Sequence, residues 1–246
     1  MLNLSEIQHD LTEIEFGIPC VVTRTEYIDA RLKRVRFEGD FLRTPLFPGH
    51  AIGFRVGRHD FRHYTPVFAD GEQGVCEVLF YLHGHGPGSR WAASLNAGQH
   101  AWLSGTSQIE LITDSHYHFF FGDETSLGLF RSMKEVIDDR GDEYLGIIEL
   151  GKEALHWPEA VGLSVETVLR TGDYPPASEA ISCLQELDER LWQNWRHATF
   201  YLAGSSASVR AFRLALLVEG VSERAIKTCP YWAEGKRGLY WSDKGL

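Results

Sequence analysis

Residues 118–130 read HFFFGDETSLGLF. The apolar run HFFFG, at 118–122, has the length of a buried strand. Gly122-Asp123-Glu124-Thr125 marks a turn, and from Glu124 to Asp138 the residues Leu127, Phe130, Met133, Val136 and Ile137 fall close to helical spacing. A strand without polar alternation is covered on both faces, and a helix that follows it at once opens a parallel α/β unit. The same rhythm continues downstream. Strands are predicted at 144–150 (YLGIIEL), 163–169 (LSVETVL) and 198–204 (ATFYLAG), with helices from Ala177 to about Trp192 and from Ala207 to Glu219.

Upstream of this stretch the texture differs. VVTRTEY (21–27), RLKRVRF (31–37), HAIGFRV (50–56), FRHYTPVF (61–68), CEVLFYL (76–82) and HAWLSG (100–105) are short, β-branched and aromatic, and are separated by Gly, Pro and Asp. About six such strands with one short helix, Ser89 to Leu95, predict a closed or nearly closed antiparallel barrel, with a two-sheet sandwich as the alternative. The fold class is therefore α+β with two domains, an N-terminal antiparallel β-barrel over 1–114 and a C-terminal α/β domain with a parallel sheet over 115–246. A length of 246 residues accommodates this division.

With 24 basic and 34 acidic residues the chain carries a formal charge of −10. Neither half is basic: 1–114 holds 10 basic and 14 acidic residues, and 115–246 holds 14 and 20. Nucleic acid and anionic membrane are thereby excluded as expected partners, because both require neutralised phosphate charge. Cys20, Cys76, Cys183 and Cys229 form no CxxC pair, so they read as scattered reduced thiols. The N-terminus lacks the basic-then-apolar order of a signal peptide, and no apolar run approaches the ~18 residues of a membrane span. The expected location is cytoplasmic, and a monomer is the default.

A parallel sheet binds ligands beyond the carboxyl ends of its strands. Two such ends, Gly122-Asp123-Glu124-Thr125 and Ala203-Gly204-Ser205-Ser206-Ala207-Ser208, are Gly-marked turns into helices, suited to a phosphate or ribose and equally to ordinary helix caps. No GxGxxG or GxxxxGKS is present. The strand-rich half holds a denser cluster, Arg62-His63-Tyr64-Thr65-Pro66. There Arg62 offers a fork for phosphate, Tyr64 a face for a planar ring, and Thr65 a hydroxyl and a backbone donor, which are the needs of a flavin nucleotide. The run His83-Gly84-His85-Gly86-Pro87-Gly88-Ser89-Arg90-Trp91-Ala92 follows. Its glycines permit close backbone approach, and Ser89 can cap the short helix so that the positive end points at a pyrophosphate. The pairs His59/His63 and His83/His85 have metal-compatible spacing but lie in or beside these motifs, so no dedicated metal site is expected.

These motifs resemble the siderophore-interacting proteins, FAD-dependent ferric-siderophore reductases of the ferredoxin-reductase-like group. The matching pieces are RHYTPVF (62–68), HGHGPGSRWA (83–92), GDETSL (122–127), YLAGSSASVRAFR (201–213) and YWAEG (231–235), in family order. Two departures stand out: Ser126-Leu127-Gly128 replaces the usual Ala-Leu-Pro after GDET, and Ser205 replaces the Glu of an AGE-type loop. The resemblance implies a flavin-binding barrel over 1–114 and an NAD(P)-binding domain over 115–246, with FAD as cofactor, NADPH or NADH as donor and a ferric siderophore as substrate. Arg62 would hold the flavin phosphate, Tyr64 would pack on the isoalloxazine, and Thr65 would bond near its N5, so Tyr64 and Thr65 are the expected catalytic pair. His63 and His83 fall within the cofactor motifs, and Gly86, Gly88, Ser89 and Arg90 would line the pyrophosphate. Asp123, Glu124 and Thr125, with Gly204 and Ser205, would face the nicotinamide or its ribose. Glu149 could take a ribose hydroxyl or Lys152 an NADPH phosphate. An anionic iron chelate would need local cations, and Arg55, Arg58, Lys227, Lys236 and Arg237 are the candidates. Two other readings stay open: a generic NAD(P)H:flavin or electron-transfer reductase, and a non-enzymatic flavin- or siderophore-binding module with impaired nicotinamide binding.

Overall fold

The structure, a computed structural model, describes residues 17–44, 46–58, 60–107, 113–172 and 175–236. The chain divides into two compact units, Met1–Ile109 and Glu110–Leu246. No helix among the described residues is long and apolar enough to cross a membrane.

The first unit is a seven-stranded antiparallel sheet built from β1 (Gly17–Asp29), β2 (Leu32–Gly39), β3 (Ala51–Arg55), β4 (Phe61–Tyr64), β5 (Pro66–Asp70), β6 (Val75–Tyr81) and β7 (His100–Ser107), with one helix, α1 (Gly86–Ser94). Its strand order is β4-β3-β7-β1-β2-β6-β5. β4 and β5 thus lie at opposite edges, yet Thr65 alone separates them along the chain. Two Cα steps span at most about 7.6 Å, so the sheet must curl until its edges meet. The expected barrel is present, and its seam is covalent. The predicted single strand 61–68 is correspondingly two strands: β4 pairs with β3 and β5 with β6. Pro66, which has no N–H to give a ladder, stands where the chain passes from one edge to the other.

Alternation fills this barrel. In β2, Val35 and Phe37 point inward while Arg34 and Arg36 are more exposed. Phe37, Phe54 and Phe80 are buried and form an aromatic cluster, with Phe37 and Phe54 rings 4.8 Å apart. Trp91 of α1 lies 5.3 Å from Phe54, so it packs the helix onto the barrel. Removing one such ring would cost about 3–5 kcal/mol.

The second unit carries a five-stranded parallel sheet in the order β10-β9-β8-β11-β12. Its strands are β8 (Tyr117–Gly122), β9 (Glu143–Leu150), β10 (Glu166–Leu169), β11 (Thr199–Ser205) and β12 (Ile226–Trp232). Helices α2 (Leu127–Arg140), α3 (Trp157–Ala160), α4 (Ser178–Gln185), α5 (Glu189–Trp195) and α6 (Ser206–Val218) connect them. Phe119, Phe120 and Phe121 are all buried, as a strand covered on both faces requires. Phe121 stacks on Phe212 at 3.9 Å and Phe120 on Phe130 at 4.6 Å.

Three local expectations are corrected. The helix predicted over 177–192 is two helices, because Asp188 accepts from Arg190 N at 2.9 Å and Leu191 N at 3.2 Å and so starts α5 afresh. The strand predicted over 163–169 begins only at Glu166. β12 was not anticipated: Pro230 interrupts its pattern and is tolerated because β12 is an edge strand.

Candidate functional site

In the first unit, β4 and the N-terminus of α1 come together. Gly88 is the point of contact: a Cβ there would collide with the Tyr64 hydroxyl and lie 3.1 Å from Arg62 Cγ. The absence of a side chain at Gly88 therefore allows Arg62 and Tyr64 to reach the first turn of the helix. The two motifs, 24 positions apart, form one surface.

Tyr64 is anchored from behind. Its ring sits edge-on to Phe80 at 4.7 Å and 6.2 Å from Phe54. Burial pushes its phenol up to about 12, against the pull of the neighbouring Arg62 guanidinium, so the hydroxyl is neutral and can donate. Arg62 Nη1 donates to Phe61 O at 2.7 Å and lies 3.8 Å from Asp60 Oδ1. Thr65, between the two edge strands, is buried, and His63 is exposed.

The Gly-rich turn departs from expectation in one respect. α1 starts at Gly86, its N-cap residue is His85, and no side chain caps it. Ser89 lies inside the helix, buried, and its Oγ accepts from Gly84 N at 3.0 Å, so it braces the turn rather than capping the helix. Gly84 (φ +83°) and Gly86 (φ +77°) adopt the left-handed backbone that the turn needs. Among the described residues the first-turn N–H groups of Gly86, Gly88 and Ser89 have no side-chain acceptor, in a positive helix end beside Arg62. His83 Nδ1 accepts from His85 N at 3.3 Å, and burial, then His85 and Arg31, hold the His83 imidazole below its ordinary range. Arg90 is exposed. The cradle at Gly88, the uncapped N-terminus and the adjacent guanidinium fit a phosphate-bearing planar cofactor.

In the second unit the chain runs from β8 to β9 and β10 on one side, then returns to β11 and β12 on the other. The order reverses between β8 and β11, where an α/β sheet opens its crevice. Both turns identified in the sequence lie here, side by side. Asp123 joins them. Its Oδ2 accepts from Ser205 N at 2.8 Å and from Trp232 Nε1 at 2.9 Å, while Oδ1 accepts from Thr125 N at 2.9 Å and Thr125 Oγ1 at 2.5 Å. Gly204, at φ +104°, makes room: a Cβ there would be 2.5 Å from Asp123 Cγ.

These contacts correct the expected role of the carboxylates. Asp123 is 3% exposed and turned inward, where burial, then Glu124, raises its pKa against the hydrogen bonds from Thr125 and Trp232. Glu124 is also buried; its Oε1 accepts from Gly151 N at 2.8 Å and from Arg170 Nη2. Glu149, weighed as a ribose ligand, is buried and accepts from Ser208 Oγ at 3.2 Å, with its pKa raised chiefly by burial. All three acids cross-tie the sheet end. What remains toward the crevice is Thr125, Ser205 and the start of α6, whose N-cap Ser205 makes no side-chain cap bond.

Arg170 went unnoticed in the sequence, whereas Ser208 and Trp232 stood inside the turn 203–208 and the YWAEG motif without a role of their own. Among the cation candidates, Arg55 is tied to its own loop through Gly57 O at 3.3 Å and Arg58 O at 3.0 Å, and Arg58 is exposed. Lys227 is half-buried on β12 and Lys236 is exposed. Arg237 and His59 lie outside the described residues. Among the described residues, no group of three or more His, Cys, Asp or Glu is placed to hold a metal ion.

Residues 115–235 match the family model of the siderophore-interacting proteins. No curated protein sequence matches the chain. Among solved structures, the siderophore-interacting protein SipS from Aeromonas hydrophila superposes with a TM-score of 0.71 at 20% identity, over 90% of this chain and 94% of that one. A siderophore utilization protein from T. fusca gives 0.70 at 20% identity, over 91% and 95%. The ferredoxin-NADP+ reductase of Plasmodium falciparum gives 0.69 at 10% identity, over 89% and 97%, so the two-unit fold extends to that wider group. The family match thus covers residues 115–235, just under half of the chain, and over its remaining length the likeness to the solved siderophore-interacting proteins is one of fold.

Proposed function

We propose that the protein is a flavin-dependent reductase that takes electrons from NAD(P)H and delivers them to ferric iron held in a siderophore, releasing the metal as Fe(II). The observation that carries the flavin assignment is the packing of Arg62 and Tyr64 against Gly88 at the uncapped start of α1. Arg62 and the first-turn N–H groups would hold the phosphates of FAD, and Tyr64, fixed by Phe80, would present a rigid neutral phenol to the ring. Thr65 would orient the ring edge from the barrel seam. Bound there, FAD supplies the conversion from a two-electron hydride donor to a one-electron ferric acceptor, which no side chain can perform. In the second unit, Thr125, Ser205 and the first turn of α6 would receive the dinucleotide, on a sheet end held rigid by Asp123. The four cysteines are free thiols, in keeping with a reducing cytoplasm.

The inward acids at the sheet end also favour a second reading, a flavin- and siderophore-binding module without nicotinamide turnover. Anaerobic mixing of the FAD-loaded protein with NADH and with NADPH separates the two, because reduction bleaches the flavin absorbance. Bleaching with either, followed by Fe(II) release from ferric siderophores faster than from simple ferric chelates, is expected. A flavin that stays oxidised with both donors leaves the binding module; a protein that binds no FAD defeats both readings.

A further inference from the structure

Lys33 is 1% exposed on β2. Charged residues are almost never buried to that extent without a partner of opposite charge. Here the partners are carbonyls: Nζ donates to Ala92 O at 3.1 Å, Ala93 O at 3.2 Å and Leu95 O at 2.6 Å. They lie at the C-terminal end of α1 and its cap, where carbonyls lack the N–H of a following helical turn, and Ala92 O takes only a long bond from Leu95 N at 3.4 Å besides. Three acceptors engage all three N–H bonds of an ammonium, and the cation stands at the negative end of the helix dipole. The Tyr27 ring covers the same nitrogen at 5.0 Å to its centroid.

An apolar side chain could fill that space without desolvating a charge, so packing alone does not call for lysine. The helix explains it. α1 has nine residues, about 13 Å at 1.5 Å per residue, and its other end is the uncapped turn against Arg62 and Tyr64. Backbone N–H groups recognise a phosphate only when aimed at it, and nothing in a short helix sets that aim except how it is held. The Lys33 ammonium fixes the distal end by three bonds, while Trp91 and Gly88 seat the remainder.

We propose that Lys33 is a positioning residue for phosphate recognition: by locking the C-terminus of α1 onto β2, it sets the direction of the N–H groups at the N-terminus. The proposal rests on the flavin reading above. Its signature is selective, because only the phosphate-dependent part of flavin affinity should depend on Lys33, whereas a purely structural brace would affect every ligand alike.

The test is equilibrium dialysis of the full chain with FAD and with riboflavin, which has the ring but no phosphate, for the wild type, Lys33→Met and Lys33→Arg. Far-UV circular dichroism checks folding. The expected result is that Lys33→Met binds riboflavin within twofold of wild type and FAD at least tenfold more weakly. Lys33→Arg, which keeps the charge but in a larger planar group, is expected to recover most of that loss and leave the FAD-to-riboflavin preference about threefold below wild type. An unchanged preference in Lys33→Met, or equal weakening of both flavins, overturns the proposal. If Lys33→Met does not fold, Lys33→Arg decides: a reduced preference supports the role, and a wild-type preference overturns it. A wild type that binds riboflavin but gains nothing from the phosphates of FAD overturns the positioning role and leaves the ring site standing. A wild type that binds neither overturns the flavin reading itself and the proposal with it.

Discussion

Asp123 and Ser205, 82 positions apart, are joined by a 2.8 Å hydrogen bond from the Ser205 backbone N–H to the Asp123 carboxylate. This bond crosses the point where the strand order of the parallel sheet reverses, and it is possible only because Gly204 has no side chain. The consequences at this and neighbouring sites can be measured.

Gly204→Ala should destabilise the second unit by about 2–4 kcal/mol, since the methyl meets the Asp123 carboxylate and the backbone at φ +104° disfavours any L side chain. Urea unfolding followed by the fluorescence of the second unit's tryptophans, Trp157 among them, should show the lowered midpoint. A midpoint equal to that of wild type would mean that the approach of Asp123 is not constrained.

Gly88→Ala should weaken FAD binding by tenfold or more while the fold persists, because its methyl takes the space of the Tyr64 hydroxyl. Adding Tyr64→Phe removes that hydroxyl and should recover part of the loss. Flavin fluorescence titration of the single and double variants measures the coupling, and strict additivity of the two changes would count against the contact.

Glu149→Gln should raise stability at pH 7 and leave it unchanged at pH 4. The folded-state pKa of Glu149 lies above its ordinary value, so the stability that this group contributes is present at low pH and declines as pH rises from about 4.5 through the folded value. Glutamine imitates the protonated acid and keeps a partner for Ser208, which removes that decline. Thermal midpoints of both proteins across pH 4–8 give the comparison; parallel curves would refute it.

Asp188→Ala should cost about 1 kcal/mol by leaving the Arg190 and Leu191 N–H groups without an acceptor. Hydrogen exchange of these two amides should accelerate in the variant, and unaltered exchange would exclude the cap.

The architecture was largely readable from local pattern. Strands such as RLKRVRF announce themselves by alternation, and HFFF by its lack of it. What escaped was set by partners far away in the chain. Asp123 and Glu124 look like ligands in a Gly-marked loop, and only Ser205, Trp232, Gly151 and Arg170 turn them inward. Nothing within RLKRVRF sets Lys33 apart from Arg34, and only the structure shows that Lys33 is buried while Arg34 is more exposed. FRHYTPVF looked like one strand because its residue types are right throughout, and only pairing at opposite sheet edges shows that Thr65 divides it. β12 was hidden by Pro230, which an edge position tolerates.

The single residue between β4 and β5 also makes the barrel asymmetric toward changes in chain length. Extra residues in the turn between β5 and β6, Gly71 to Gly74, would loop out into solvent and leave both ladders in register. One residue inserted beside Thr65 would lengthen the direct chain link between two edges that, among the described residues, share no ladder, and the sheet could relax toward an open ribbon with two exposed margins. Cutting the chain there, as in a circular permutant, would have the same effect. The segment that carries the expected flavin contacts is thus also the clasp of its domain, and tolerance to insertion should fall to its minimum between Tyr64 and Pro66.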